Sequence, residues 1–173
     1  KIHIGFKSSS NSEGYSRYAN NISGEWKIED IAFRNSSEGC SISADKKNNI
    51  HMIFSDSYKT LYYASFNANY NNIEPSSIDS PGNTGEYLSV ATTSMNKTYI
   101  SYYDPIDKKL KVASDVTGTF VETTVDNNIS SGKFSSLAVD SNDKMHIAYY
   151  DEADFNLKLA TNAYGSWVSD YVH

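Results

Sequence analysis

The sequence predicts an all-β chain made of four copies of one four-stranded unit. Three observations lead there. The residue mix favours strands, a repeat of about 47 residues runs the length of the chain, and each predicted strand carries burial-capable side chains on both faces. The 173 residues include 14 Tyr and 7 Phe among abundant Ser, Thr, Ile and Val, and long Ala/Leu/Glu/Lys runs are missing. Aromatic and β-branched residues fit a pleated surface better than a helix. Hydrophobic residues make up 39% and charged residues 21%, a globular balance in a chain long enough for one domain with a sizeable core.

The repeat is visible in several registers at once. Trp26, Ile73, Phe120 and Trp167 are spaced 47, 47 and 47. His3, His51, Tyr99 and His146 are spaced 48, 48 and 47. Ala19, Ala64, Ala113 and Ala160 differ by 45, 49 and 47, so one turn varies in length. Ser41, Ser89 and Ser136 follow at 48 and 47. Approximate repeats are 1–34, 35–80, 81–127 and 128–173, within a single domain or segment spanning 1–173. Periods of this size mark radial or solenoid arrays.

The fourth copy shows the unit in order. SSLAVD (135–140) reads as a first, innermost strand, and the polar SNDK turn leads to a second, MHIAYYD. The loop EADFN leads to a third strand, LKLATN, and a Gly-containing turn leads to a fourth, SWVSDYV. Such lengths and punctuation suit short antiparallel connections. In MHIAYY, Met145, Ile147 and Tyr149 face one side and His146, Ala148 and Tyr150 the other. A sheet apolar on both faces needs a neighbour on each, and stacking copies around an axis supplies them. The expected architecture is therefore a β-propeller of four repeats, each a blade. The first strand type occurs three times (CSISAD, LSVATT, SLAVD) and the other three occur four times, so one innermost strand is missing. Three arrangements answer that: a piece of a longer propeller, a ring closed by a partner strand, or two chains completing one larger ring through the open strand edge.

The net charge of −6 and the lack of a basic cluster argue against nucleic acid and anionic membrane surfaces. No apolar run approaches a membrane span of about 20 residues. The chain opens on Lys1 with neither an initiator Met nor a leader, which suggests processing or trimming. The single Cys40 precludes an internal disulfide and reads as a small buried strand residue.

The run SLAVDSNDKMHIAYYDEADFNLKLATNAYGSW resembles repeats of secreted bacterial β-propellers of the sialidase/Asp-box superfamily. Ser43-Ala44-Asp45 and the turn at Asp140 match the Asp-box in part; its Gly and closing Trp are absent. The resemblance implies the fold and an extracellular or cell-surface location. Sialidases of this shape clamp a substrate carboxylate with three arginines, and propeller fucose lectins use an Arg in each pocket. This chain has two, Arg17 and Arg34, so a sialidase site cannot be built from it alone, and two Arg across four repeats argue against the fucose-lectin mode too. No nucleophile elbow, P-loop or HExxH stands out, and acidic pairs among 21 carboxylates carry no information.

The candidate binding residues follow from the blade. Asp56, Asp104 and Asp151 each end a second strand, where repeat one has Ser8. Local capping of the turn is the plain role for such residues. Tyr102, Tyr103, Tyr149 and Tyr150 stand beside two of them. In a propeller the loop after the second strand and the loop before the first share one face. Aromatic rings with carboxylates suit a sugar, since rings stack on its CH faces and acids accept hydroxyl hydrogens. The same aspartates, or the Asp140–Asp143 turn, offer oxygens to Ca²⁺, although the Gly and Glu of a calcium loop are absent; no other cofactor is expected. The recurring His3, His51 and His146, and Trp26 with its register mates, read as packing positions. Four sequons, at Asn21, Asn35, Asn96 and Asn128, matter only in a glycosylating host. The expectation is a non-catalytic module that binds a glycan or a protein. The alternatives are a structural unit of a surface assembly and a fragment of a sialidase-like hydrolase.

Overall fold

The computed structural model describes residues 1–10, 13–31, 36–67, 73–78 and 85–172; Arg34, the Asn35 sequon and His173 lie outside them. The described residues form strands and turns with no helix, so none is long and apolar enough to cross a membrane. β1 (His3–Ser10), β2 (Glu13–Asn20) and β3 (Lys27–Ile31) make a three-stranded sheet. The next sheet holds β4 (Ser36–Ala44), β5 (Asn49–Asp56), β6 (Leu61–Asn67) and β7 (Ser76–Ser77). The third holds β8 (Glu86–Thr92), β9 (Thr98–Asp104), β10 (Lys109–Ser114) and β11 (Val121–Asp126). The fourth holds β12 (Ser131–Val139), β13 (Met145–Asp151), β14 (Asn156–Thr161) and β15 (Val168–Tyr171). Every pairing is antiparallel between sequence neighbours, as the repeat predicted.

Successive sheets pack face to face like the blades of a propeller: β1 lies against β4, β4 against β8, and β8 against β12. Between the first two, Tyr18 and Ile31 meet Ile50, Met52 and Phe54. Between the second and third, Ile53 and Leu61 meet Val90, Ile100 and Tyr102. Between the third and fourth, Leu110, Val112 and Val125 meet Leu137, Ile147, Tyr149 and Ala160. Each large side chain so buried contributes roughly 1.5–3 kcal/mol against leaving it in water. The interior blades bury both faces: in β5 every residue from Ile50 to Ser55 is buried. β13 alternates instead, with Met145, Ile147 and Tyr149 buried and His146, Ala148 and Tyr150 half-buried, because among the described residues the fourth sheet has a neighbour on one side alone.

The recurring residues acquire physical roles. An innermost strand has one ladder partner, so alternate N–H groups point to the axis unpaired. Ser41 Oγ accepts the Val90 N–H at 3.1 Å, and Ser89 Oγ accepts the Leu137 N–H at 3.0 Å. The period of the serines is thus the blade-to-blade spacing. His3 and His51 hydrogen-bond through Nδ1 to Tyr18 and Tyr63 hydroxyls at 2.6 and 2.7 Å, and His146 Nε2 lies 3.3 Å from Asp140. Ile73, Phe120 and Trp167 each pack on the junction with the preceding blade. Trp26, expected to pack likewise, is 53% exposed, since its blade has none before it among the described residues. Cys40 packs at the first junction, where burial pushes its thiol up to about 11, far from a reactive thiolate.

Ser89→Ala should lower the urea-denaturation stability by about 1 kcal/mol. Ser136→Ala, at the same register but exposed on the fourth sheet, should change it by less than about 0.5 kcal/mol. Gly132 has φ +119°, and a Cβ there would lie 2.7 Å from Leu110 Cα and Cβ. Gly132→Ala should therefore cost about 3 kcal/mol by the same measurement, against about 1 for Gly165→Ala, where the space is open.

Candidate functional site

The turns joining second to third strands need a left-handed residue, and the preceding carboxylate organises the turn. Asp56 Oδ1 accepts the Tyr58 and Thr60 N–H groups, both at 2.9 Å. Asp104 Oδ1 accepts those of Ile106 and Asp107 at 2.8 and 3.0 Å, and Asp151 Oδ1 those of Ala153 and Asp154 at 3.0 and 3.4 Å. Lys59, Lys108 and Phe155 take the positive φ that closes each turn. Asp104 and Asp151 are buried, and their second oxygens pair with Lys111 at 2.5 Å and with Lys158. Burial alone would raise the Asp104 pKa. The Lys111 bond and the turn N–H groups outweigh it and hold the carboxyl below its ordinary value. The three aspartates thus perform the capping role in place.

The four tyrosines divide by strand parity. Tyr102 and Tyr149 point into the junctions, fully buried, and donate to Glu122 at 2.5 Å and Asp126 at 2.7 Å. Asp126 also accepts from Ser131 and from the Asn128 N–H. These bonds overcome the effect of burial and hold its carboxyl below the ordinary value. Tyr103 and Tyr150 lie on the opposite side, toward the rim of the blades, where Tyr103 is still buried and Tyr150 is half-buried.

There they meet two aromatics that the sequence analysis did not single out. Tyr87 and Phe134 occupy equivalent positions where β8 and β12 begin, each inside a register shift of the ladder. Both have φ 55°, a left-handed backbone rare for a bulky residue. The bulge turns their side chains toward each other, with ring centroids 4.4 Å apart. Tyr103 lies 6.3 Å from Tyr87, and Tyr150 lies 6.4 Å from Phe134. Lys133 Nζ stands 5.7 Å over the Tyr103 ring and 2.7 Å from Glu152. That hydrogen bond raises the lysine pKa, so the ammonium is charged at neutral pH. Lys59 pairs with Glu86 at 2.9 Å on the same rim. Phe134 remains 65% exposed despite its neighbours.

The group borders a cavity of about 360 Å³ lined by Gly39, Cys40, Tyr87, Leu88, Phe134 and Ser135. Gly39 holds the position in the second blade that Tyr87 and Phe134 hold in the next two, and its missing side chain leaves the opening. Ser130 ties the face together: its N–H donates to Lys108 O at 2.7 Å, and its O accepts the Glu152 N–H at 3.0 Å. The loop before the first strand thus lies beside the turns after the second strands. Aromatic faces and two ammonium–carboxylate pairs, Lys133–Glu152 and Lys59–Glu86, converge on a concave rim. A readable trace existed, since GEYLSVAT and SGKFSSLAV place an aromatic two residues before each recurring Ser.

A second cavity, of about 340 Å³, lies where the turns from first to second strands converge on the other face. It is lined by Lys46, Ser94, Asp140, Asp143 and neighbours. Its carboxylates are engaged: Asp140 accepts the Asn142 and Lys144 N–H groups, and Asp143 accepts the Ser94 N–H and hydroxyl. Asp45, in the partial Asp-box, caps its own turn through the Lys47 and Asn49 N–H groups.

No family model and no curated protein matches the chain. Solved structures do. The BP39L lectin from Burkholderia pseudomallei has a TM-score of 0.69 at 17% identity, over 99% of this chain and 51% of its own. AofleA from Arthrobotrys oligospora has a TM-score of 0.67 at 12%, over 99% and 53%. A family GH43 β-1,3-galactosidase has a TM-score of 0.57 at 10%, over 96% and 74%. The chain spans about half the length of the first two. At such identities the likeness is one of fold: an all-β, propeller-type architecture found in lectins and in glycosidases alike.

Because the folded pKa values of Asp104 and Asp126 lie below their unfolded ones, their stabilisation is complete above about pH 4. It is lost as pH falls through the folded values. Urea denaturation should therefore give declining stability from about pH 4 downward. Asp104→Asn should be about 2 kcal/mol less stable at pH 7, with the gap to the parent narrowing as pH falls below about 4.

Proposed function

We propose that the chain is a glycan-binding propeller segment that holds a sugar against the rim where the third and fourth blades meet. The observation that carries this is the Tyr87–Phe134 pair: two bulky rings in left-handed backbone, 4.4 Å apart, beside an open cavity. Such strain costs about 1–3 kcal/mol per residue and gathers at sites where it serves a purpose. An exposed Phe134 ring against a half-buried Tyr87 adds little to the core. It offers flat faces for the CH surface of a pyranose, while Lys133, Glu152 and Glu86 stand where hydroxyls would be donated or accepted.

In this reading the half-buried Tyr150 touches the ligand, and the buried Tyr103 backs the Tyr87 ring from beneath. Asp56, Asp104, Asp151, Tyr102 and Tyr149 lie in the turns and junctions that hold the rim in shape. The similarity of fold to a lectin supports the reading; kinship with sialidase/Asp-box propellers in particular remains part of the proposal, resting on the partial motifs at Asp45 and Asp140. Extracellular or cell-surface placement belongs to it too, since that is where such a module meets its ligands. A protein ligand on the same rim, and a hydrolase completed by other blades, are the competing readings.

A glycan array followed by calorimetry on the best ligand tests the proposal. Phe134→Ala and Tyr87→Ala should each weaken binding about 5- to 10-fold. Tyr102→Phe should leave it unchanged. Absence of any glycan ligand, or affinity indifferent to both rim aromatics, would exclude this site.

A further inference from the structure

The two outer faces of the arc are the two halves of a junction that the chain already makes three times. Every internal junction joins the leading face of one blade to the trailing face of the next. On the leading side, Leu61 and Leu110 are fully buried, whereas Leu157 at the same register is 50% exposed. Val112 is buried and its counterpart Leu159 is exposed; Ile31 and Val125 are buried and their counterpart Val172 is exposed. On the trailing side, Met52, Ile100 and Ile147 are fully buried, but Ile4 is 42% exposed. Ile2 and Trp26 are exposed beside it, while the counterparts of Trp26 pack into junctions. Among the described residues no blade covers the apolar groups at the two ends, and each end displays what the other end's counterparts receive.

We infer that a second copy of this chain covers both faces. The fourth blade of each copy would pack on the first blade of the other, head to tail, about a twofold axis. Continuity with the internal junctions argues for this occupant: the new contact would be a fourth instance of an interface made by the same repeat. Size argues for it as well. The arc superposes over 99% of its length on 51% and 53% of two longer chains of the same architecture, so the fold leaves room for a complement about as large as this chain. Two copies give each apolar face one partner and leave none over, which is the condition for a closed assembly rather than a filament. The slot beside the free edge of β1, where an innermost strand is missing among the described residues, would lie within each of the two junctions.

Light scattering and sedimentation equilibrium of the 173-residue chain test the inference, with a mass twice the 19.3 kDa of one copy expected at micromolar concentration. Leu159→Asp and Ile4→Asp should each yield monomers, while Val121→Asp, on the exposed outer strand, stays dimeric. Circular dichroism and melting curves matching the parent would show that the variants fold. Mixing the Leu159→Asp and Ile4→Asp chains should restore a dimer, because one junction in the pair is then unaltered; a contact of like ends would not behave so. A monomeric parent at about 100 μM overturns the inference, as do polymers that lengthen with concentration. Failure of the mixture to re-form dimers overturns the head-to-tail arrangement.

Discussion

Everything in this structure follows from a sheet of four short strands being too thin to shelter its own apolar faces. A blade such as β4–β7 has Met52 and Phe54 on one side and Ile53 and Leu61 on the other, all removed from water by the neighbouring blades. Among the described residues the three cores lie between blades, each drawn from two neighbours. Stability is then close to a sum of junction energies, and the junctions share a common grammar. Aliphatic and tyrosyl side chains fill the middle, a serine hydroxyl ties the inner strands, and a large residue from the outer strand closes the side.

The same constraint shapes the polar groups. A buried tyrosyl hydroxyl must find an acceptor, so Tyr102 and Tyr149 draw Glu122 and Asp126 to the junction edge. A buried carboxylate must be paired, so Asp104 and Asp151 bring Lys111 and Lys158 with them. These networks hold the turns of the rim rigid. The left-handed bulges at Tyr87 and Phe134 are over-determined by that scaffold, for Ser135 Oγ both donates to the Tyr87 carbonyl at 2.8 Å and lies 2.9 Å from Ser101 Oγ. A flexible loop could not hold two bulky residues at positive φ. The candidate site therefore rests on the junction between the third and fourth blades and belongs to neither blade alone.

The repeat could be read because packing between blades recurs every 47 or 48 residues and leaves the same residue types in the same registers. Strand order, turn positions and the turn-capping aspartates came with it, since short antiparallel connections leave few alternatives. The face each residue presents was less legible. Four tyrosines adjacent in sequence to two aspartates looked alike, yet strand parity sends Tyr102 and Tyr149 into the core and Tyr103 and Tyr150 to the rim. Tyr87 and Phe134 passed unremarked because a bulge breaks the period of two that makes strand residues predictable.

The amino-acid sequence by itself determined the unit: its strands, its length, its punctuation and its need for a neighbour on each face. These are local or periodic properties, written into side-chain type and spacing. Tertiary structure alone decided which aromatics converge, where Gly39 leaves an opening, and which apolar faces stay uncovered. The reason is that these depend on how consecutive blades are rotated against one another, and that rotation belongs to residues 48 apart in the chain and a few ångströms apart in space.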